Sequence, residues 1–384
     1  MSPAMDAIPP TLPPARRVAV VLFNLGGPDG PDAVRPFLTN LFTDPAILRL
    51  PAILRLPLGR FVAYRRTPTA QENYAVLGGR SPLLELTEAQ ARSLEAALAG
   101  EGDDVRCFVA MRYWHPFTEA AVAAVAEWAP DEVLLLPLYP QYSTTTTGSS
   151  VAEWRRVAKK AGLEAPTTAL CCWHSDPAFA AATAAIVRRS LAEARAALPD
   201  GTPLRLLYSA HGLPESIVKR GDPYQWQVER TVAAVTAALG DPVDHAVCYQ
   251  SRVTPQKWLG PSTEEEIARA GREGVALLVC PIAFVSEHSE TLVELDVEYR
   301  EVAHKEGVPA YFRVPAQNSD PAFIAALAGL VRRARREVRG SEVALGSDRD
   351  GRLCSFAGGR QCPKDRRDCP HEGRPALRPA REMA

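Results

Sequence analysis

Short, mostly apolar runs alternate with helix-patterned stretches along the chain, and the alternation happens twice. In the first half the runs are Val18 to Asn24, Arg106 to Arg112, Glu132 to Tyr139 and Thr167 to Trp173. Helical patterns separate them, over Ser81 to Leu98, Thr118 to Trp128 and Val151 to Ala161. Strands with little polar alternation are buried on both faces, and parallel strands need a crossover between them. That pattern is a parallel sheet with helices on its faces. The second half repeats it with Leu204 to Ala210, His245 to Ser251, Gly274 to Ile282 and Ala310 to Val314. The strand exits match in order: Asn24-Leu-Gly-Gly with Ser209-Ala-His-Gly, and Met111-Arg-Tyr-Trp-His-Pro with Gln250-Ser-Arg-Val-Thr-Pro. Leu136-Pro-Leu-Tyr-Pro likewise matches Cys280-Pro-Ile-Ala-Phe. The expectation is an α/β protein of two similar Rossmann-like domains, over 16–178 and 179–340. They should face each other across a cleft lined by strand exits, where such sheets bind ligands.

Composition narrows the partners. The 384 residues carry a formal net charge of -1, so no global field recruits nucleic acid. No run of eighteen apolar residues offers a spanning helix. Residues 1–15 are proline-rich and lack the apolar core of a signal peptide, so they read as a disordered lead. Of eight cysteines, Cys107, Cys171, Cys172, Cys248 and Cys280 lie in apolar strand-like segments. The other three lie in a tail over 341–384. That usage fits a reducing cytosol better than a disulfide scaffold.

Three stretches carry candidate chemistry. In the second half, Ser286 is placed to cap a helix over 286–298, on which Glu287, Glu290, Glu294 and Glu298 would share a face beside His288. Such a row suits proton or cation traffic at a strand end, and it equally suits a solvated acidic face. His211 leaves the strand Leu204 to Ala210 at the expected cleft, where an imidazole is the usual proton carrier near neutral pH. In the first half, residues 45–64 contain Ala-Ile-Leu-Arg-Leu-Pro twice, at Ala46 and Ala52. Leucines interleaved with Arg49, Arg55 and Arg60 read as an exposed apolar lip with snorkelling arginines, or as a packed loop and helix. The loop from Tyr139 to Ser150 is rich in hydroxyls and opens a helix, which makes it either an anion cradle or a well-capped terminus.

Several motifs together resemble the ferrochelatase family. They are Ser209-Ala-His-Gly-Leu-Pro, Arg220-Gly-Asp-Pro-Tyr, Trp258-Leu-Gly-Pro and Phe284-x-x-x-His288-x-Glu290-Thr-Leu-x-Glu294-Leu-Asp. Asn24-Leu-Gly-Gly-Pro, Arg65-Arg-Thr-Pro, Gly79-x-Ser81-Pro, Arg112-Tyr-x-His-Pro and Tyr139-Pro-Gln-Tyr-Ser belong to the same set, in order, over about 18–335. The resemblance implies a chelatase fold and insertion of ferrous iron into protoporphyrin IX, the last step of protoheme synthesis. It makes His211 the base over the macrocycle and an iron contact, with Glu290 opposite. His288 and Glu287 would tune Glu290, and Glu287, Glu294 and Glu298 would form a proton or iron path. The ring body would be gripped by Leu25, Phe61, Tyr64, Trp258 and Phe284. Arg66, Ser81, Arg112, Tyr113 and Ser143 would serve the propionates or the hydrogen bonds around them. The lip would dock a membrane or a porphyrin-delivering enzyme, on a cytoplasmic monomer or homodimer peripheral to the inner face of the cell membrane.

The tail spacing Cys354-x7-Cys362-Pro-x5-Cys369-Pro-His371 suggests thiolate ligation, with zinc and iron–sulfur both open. Some ferrochelatases hold a [2Fe-2S] cluster by three C-terminal cysteines and one from the body. In the animal-type pattern the body ligand follows Tyr-Pro-Gln-Tyr-Ser, where Thr144 stands here. Cys172 is then the expected fourth ligand with Cys171 as substitute, since strand alternation should direct only one of them outward, and His371 is the outsider. Other readings are iron insertion into coproporphyrin III, cobalt insertion into a sirohydrochlorin, and a non-catalytic heme carrier or cluster-based sensor.

Overall fold

The computed structural model describes residues 15–252, 256–340, 352–357 and 359–371, with Cys354 described by its backbone alone. The proline-rich lead lies outside the described residues apart from its last position, as does much of the tail. In the first half, strands β1 (Arg17–Asn24), β2 (Asp104–Met111), β3 (Glu132–Pro137) and β4 (Thr167–Cys172) are ordered β2-β1-β3-β4. In the second, β5 (Leu204–His211), β6 (Asp244–Gln250), β7 (Ala276–Pro281) and β8 (Tyr311–Arg313) are ordered β6-β5-β7-β8. Every pairing is parallel. The two halves therefore share a topology, as the matching strand exits required. Strands β3 and β7 are buried at every residue, which is why their sequences show no polar alternation.

Helices α1 (Val34–Thr43), α2 (Ala52–Val76) and α3 (Leu83–Leu98) separate β1 from β2. Helices α4 (Thr118–Trp128) and α5 (Thr147–Ala161) make the next two crossovers, and α6 (Pro177–Ala197) joins the sheets. The second half uses α7 (Glu215–Lys219), α8 (Tyr224–Leu239), α9 (Thr263–Glu273), a π-helix over Glu290–Glu298, α10 (Tyr299–Lys305) and α11 (Pro321–Gly340). Helix α11 crosses back: Phe323, Leu327 and Val331 are buried with Val18, Leu22 and Leu134 of the first sheet. Buried Gln90 of α3 adds a polar stitch, donating to the Val285 and Asn318 carbonyls at 3.0 and 2.9 Å and accepting from Ser286. A buried amide with three partners fixes one arrangement of the halves, because any shift would strand its polar atoms.

The acidic segment begins later than the sequence suggests. The helix starts at Glu290, and it is a π-helix, a wide turn found mostly at functional sites. Glu287 and His288 precede it, so the four carboxylates do not share one face. Glu287 instead accepts from Arg313 at 2.8 Å and from the Ala316 backbone at 2.9 Å. In the tail, Arg352–Ser355 form β9, a fifth strand parallel to β4. An edge strand is held by backbone pairing and needs no apolar pattern, so no periodicity marks it.

Candidate active site

Each half delivers its strand exits to one cavity of about 720 Å3, within the size range of cofactor-sized pockets. His211 ends β5 and Glu290 opens the π-helix that follows β7, its neighbour in the sheet. Adjacent parallel strands thus bring the two residues together: His211 Nδ1 lies 2.8 Å from Glu290 Oε2. His288 Nε2 lies 3.8 Å from the same oxygen, and its ring is 4.6 Å from that of Phe284. The Tyr224 hydroxyl donates to the His211 carbonyl at 3.0 Å, fixing the backbone that carries the imidazole.

Glu294, one wide turn on, is held by three donors. Gln250 Nε2 donates to it at 3.0 Å and also to the Glu290 carbonyl at 3.0 Å. The hydroxyls of Ser251 and Tyr299 donate to its two carboxylate oxygens at 2.5 and 3.0 Å. Glu298 accepts from Asn73 Nδ2 of α2 at 3.1 Å. Glu290, Glu294 and Glu298 all line the cavity, and Glu287 does not.

Their proton affinities differ. Burial disfavours an imidazolium at His211, but the carboxylates of Glu290 and Glu294 outweigh it and raise its pKa above the ordinary imidazole value. Burial would raise Glu290, yet His211 and then His288 hold its carboxyl far below the usual carboxylate range. Glu294 goes the other way, raised first by burial and then by the charge of Glu290. A carboxylate that stays ionised beside one inclined to hold a proton is an arrangement for moving protons. Among the described residues, no group of three or more His, Cys, Asp or Glu is arranged as a metal site.

The remaining wall comes mainly from the first half. Leu25, Arg66, Ser81 and Ser143 line the cavity with Trp258 and Phe284 of the second half. Phe37, Leu41 and Phe42 of α1 and Ile47 and Leu48 of the following loop form its apolar side. Phe61 and Tyr64 do not line it; they stand on the outer face of α2, 61% and 60% exposed. Arg112 and Tyr113 are also off the wall. Arg112 pairs with buried Asp44 at 2.8 Å, and the Tyr113 and Ser149 hydroxyls donate to the same carboxylate at 2.8 and 2.6 Å. Sequence reasoning missed Asp44, whose partners are distant in the chain. It also missed Gln250 and Ser251, although both sit in a strand-exit motif and a buried glutamine there signals a network.

The tail thiols gather at the edge of the first sheet, near Cys172 of β4. Cys362 and Cys369 are buried and hydrogen-bonded to one another, and both feel the charge of Cys172. Strand alternation does not separate Cys171 from Cys172 as expected. A bulge breaks the register against β9 between Leu170 and Cys172, and the two sulfurs lie 3.4 Å apart. The backbone of Cys354 pairs opposite Leu170. No complete metal site forms among the described thiols, a set that lacks the Cys354 side chain.

A family model described as Ferrochelatase matches residues 17–335. The chain is 53% identical over 355 residues to the ferrochelatase of Phenylobacterium zucineum, spanning 90% of this chain and 97% of that one. It is 54% identical over 319 residues to that of Caulobacter vibrioides, spanning 83% and 90%. With that of Hyphomonas neptunium it shares 50% over 359 residues, spanning 92% and 95%. Among solved structures, SirB from Bacillus subtilis with Fe3+ superposes with a TM-score of 0.49 at 13% identity, over 85% of this chain and 98% of that one.

Proposed function

The chain belongs to the ferrochelatase family, lyases that insert ferrous iron into a porphyrin, and we propose that its porphyrin is protoporphyrin IX, that His211 and Glu294 carry its protons and that Glu290 holds the charge between them. The observation that carries the assignment is the 2.8 Å contact of His211 with Glu290 at the wall of the shared cavity. Iron replaces two pyrrole protons, so a base must stand over the ring centre. His211, when its imidazole is neutral, takes the two pyrrole protons one after the other, the first passing on before the second is taken. Glu290, ionised and hydrogen-bonded to it, stabilises the imidazolium that results. Glu294 receives the proton next, because burial favours its neutral form, and Glu298 stands at the outer end of the row. Leu25, Trp258 and Phe284 grip the macrocycle body.

The cavity favours two propionates over four. Its lining carries two guanidinium groups, Arg66 and Arg252, and the Ser81 hydroxyl. The α1 side is apolar, from Phe37 to Leu48. Coproporphyrin III would have to set carboxylates against that side without donors, at a cost above the about 2–7 kcal/mol of an unpaired neutral polar group. Vinyl and methyl groups fit it. The test is anaerobic insertion of ferrous iron into each porphyrin by wild type and His211→Ala. Equal rates with coproporphyrin III would overturn the substrate, and an active His211→Ala would overturn the base. Insertion by wild type also rules out a carrier or sensor.

Two further assignments accompany this one. The exposed start of α2 contacts a lipid surface, since protoporphyrin and heme are apolar cargo and Ile53, Leu54 and Leu58 face outward beside Arg55. No helix among the described residues is long and apolar enough to cross a membrane. For the tail, ligation of a [2Fe-2S] cluster by Cys172, Cys354, Cys362 and Cys369 is supported by the burial of Cys362 and Cys369 near Cys172 and by the β9 pairing. A coloured protein with iron and acid-labile sulfide is expected; a colourless one with stoichiometric zinc refutes it.

A further inference from the structure

The tail touches both halves and the lip at once. Through Asp368 its backbone N–H donates to the Gly221 carbonyl at 3.1 Å. The approach there is close: a Cβ on Gly221 would stand 2.7 Å from the Arg367 nitrogen. The Asp368 carboxylate lies 4.0 Å from Arg49, the residue after cavity-lining Leu48, and Arg49 donates to Thr144 Oγ1 at 2.7 Å. On the other side of Thr144 stands wholly buried Asp222, next to Gly221. It accepts from the Thr144 N–H and hydroxyl, each at 2.8 Å, and from the Ser143 hydroxyl at 3.0 Å. Thr144 is thus clamped between a residue of the lip and a residue of the second half, and the tail bears on both.

We propose that residues 359–371 are a brace for the porphyrin cavity: docked, they hold Arg49 and Asp222 so that Leu48 and Ser143 keep their places on its wall. The inference rests on the porphyrin reading. Asp222 and Arg49 are positioning residues, acting through Thr144 and Ser143 and touching neither iron nor the leaving protons. Coupling of this kind is reciprocal, so a brace that favours porphyrin binding must itself be held down by porphyrin.

The test is hydrogen exchange of the peptide spanning 359–371 in the full-length protein, with and without protoporphyrin IX, while quenching of protein fluorescence reports binding. Exchange in the wild type should slow by about five-fold or more on binding. Arg49→Ala should lose most of that slowing and raise the porphyrin KM by about two- to five-fold, the size set by an exposed ion pair. Its iron KM and the pH profile should stay as they were. Asp368→Asn removes the other end of the contact and should behave alike, which guards against a folding defect in one variant. Unchanged wild-type exchange while porphyrin is bound, or slowing as large as the wild type's in either variant, overturns the brace. A wild type whose fluorescence porphyrin does not quench overturns the substrate reading first and the brace with it.

Discussion

The two halves place equivalent strand exits on one cavity, and only one half supplies groups that change charge. At the exit of β5 stands His211, paired with Glu290. At the matching exit of β1 stands Asn24, buried, its amide donating to Thr87 and its oxygen accepting from the Leu25 backbone. Beyond β6, Gln250 and Ser251 hold Glu294. Beyond β2, Arg112 and Tyr113 hold Asp44. The corresponding strand exit offers a proton carrier in one half and a saturated hydrogen-bond group in the other. A duplicated sheet has been divided into a half that reacts and a half that gives shape.

The division is broken most directly at its centre. His211→Ala should lower kcat for iron insertion by about 10²- to 10⁴-fold, the range of a lost general base, and leave the porphyrin KM within a few-fold. A rise in KM with kcat intact would make His211 part of the grip, and the two halves would no longer differ in kind.

Glu290→Gln sharpens the account through pH. In the wild type the charges on Glu290 and Glu294 raise His211, so the neutral base appears only as pH climbs above the ordinary imidazole range. The acid limb of kcat/KM should therefore lie above about pH 6.5. With Gln at 290 the leading favourable charge is gone and burial remains, so the limb should move to lower pH while the plateau drops. A pH profile that keeps its acid limb in Glu290→Gln would assign that limb to another group.

Asp44→Ala tests the shaping half. It removes an acceptor that Arg112, Tyr113 and Ser149 share and leaves Arg112 without its carboxylate. Breaking a buried pair costs about 3–5 kcal/mol of stability. The chain leaves Asp44 for the lip loop, so the porphyrin KM should rise while the pH profile keeps its shape. A changed pH profile with unchanged KM would place proton handling in the first half as well.

What the sequence disclosed follows the same physical line. The central strands are buried on both faces and must be apolar throughout, and the edge strands β2, β6 and β8 keep part of that pattern, so all eight body strands and their duplication were visible, and the strand exits pointed to His211 and Glu290. Pairing between distant side chains leaves no local trace, so Arg112 and Tyr113 looked like ligands of the substrate when Asp44 holds them. The start of the π-helix was equally hidden, because a four-residue spacing of glutamates suits either kind of turn; the structure turns Glu287 to Arg313 instead. A bulge inverts the reasoning of strand alternation, which is why Cys171 and Cys172 came out together.

The smallest effect on catalysis comes from the tandem hexapeptide, where identical residues meet different fates. In the first copy, Ile47 and Leu48 face the cavity; in the second, Ile53 and Leu54 occupy the first turn of α2 and face outward, Ile53 82% exposed. The backbone decides this. Residues 46–51 turn, with the Asp44 carboxylate capping the Ala46 N–H at 2.7 Å, and Pro51 stands as the N-cap before the helix begins at Ala52. Ile53→Ser with Leu54→Ser removes exposed apolar area only, so stability should move by no more than about 0.5 kcal/mol. Insertion in detergent-free solution should match wild type. Sedimentation with anionic phospholipid vesicles should fall several-fold, because the apolar contact is what the Ser pair deletes. Vesicle binding that survives the double substitution would return the second copy to the shaping half as a packed helix start, and the surface that meets lipid would have to be sought on another face.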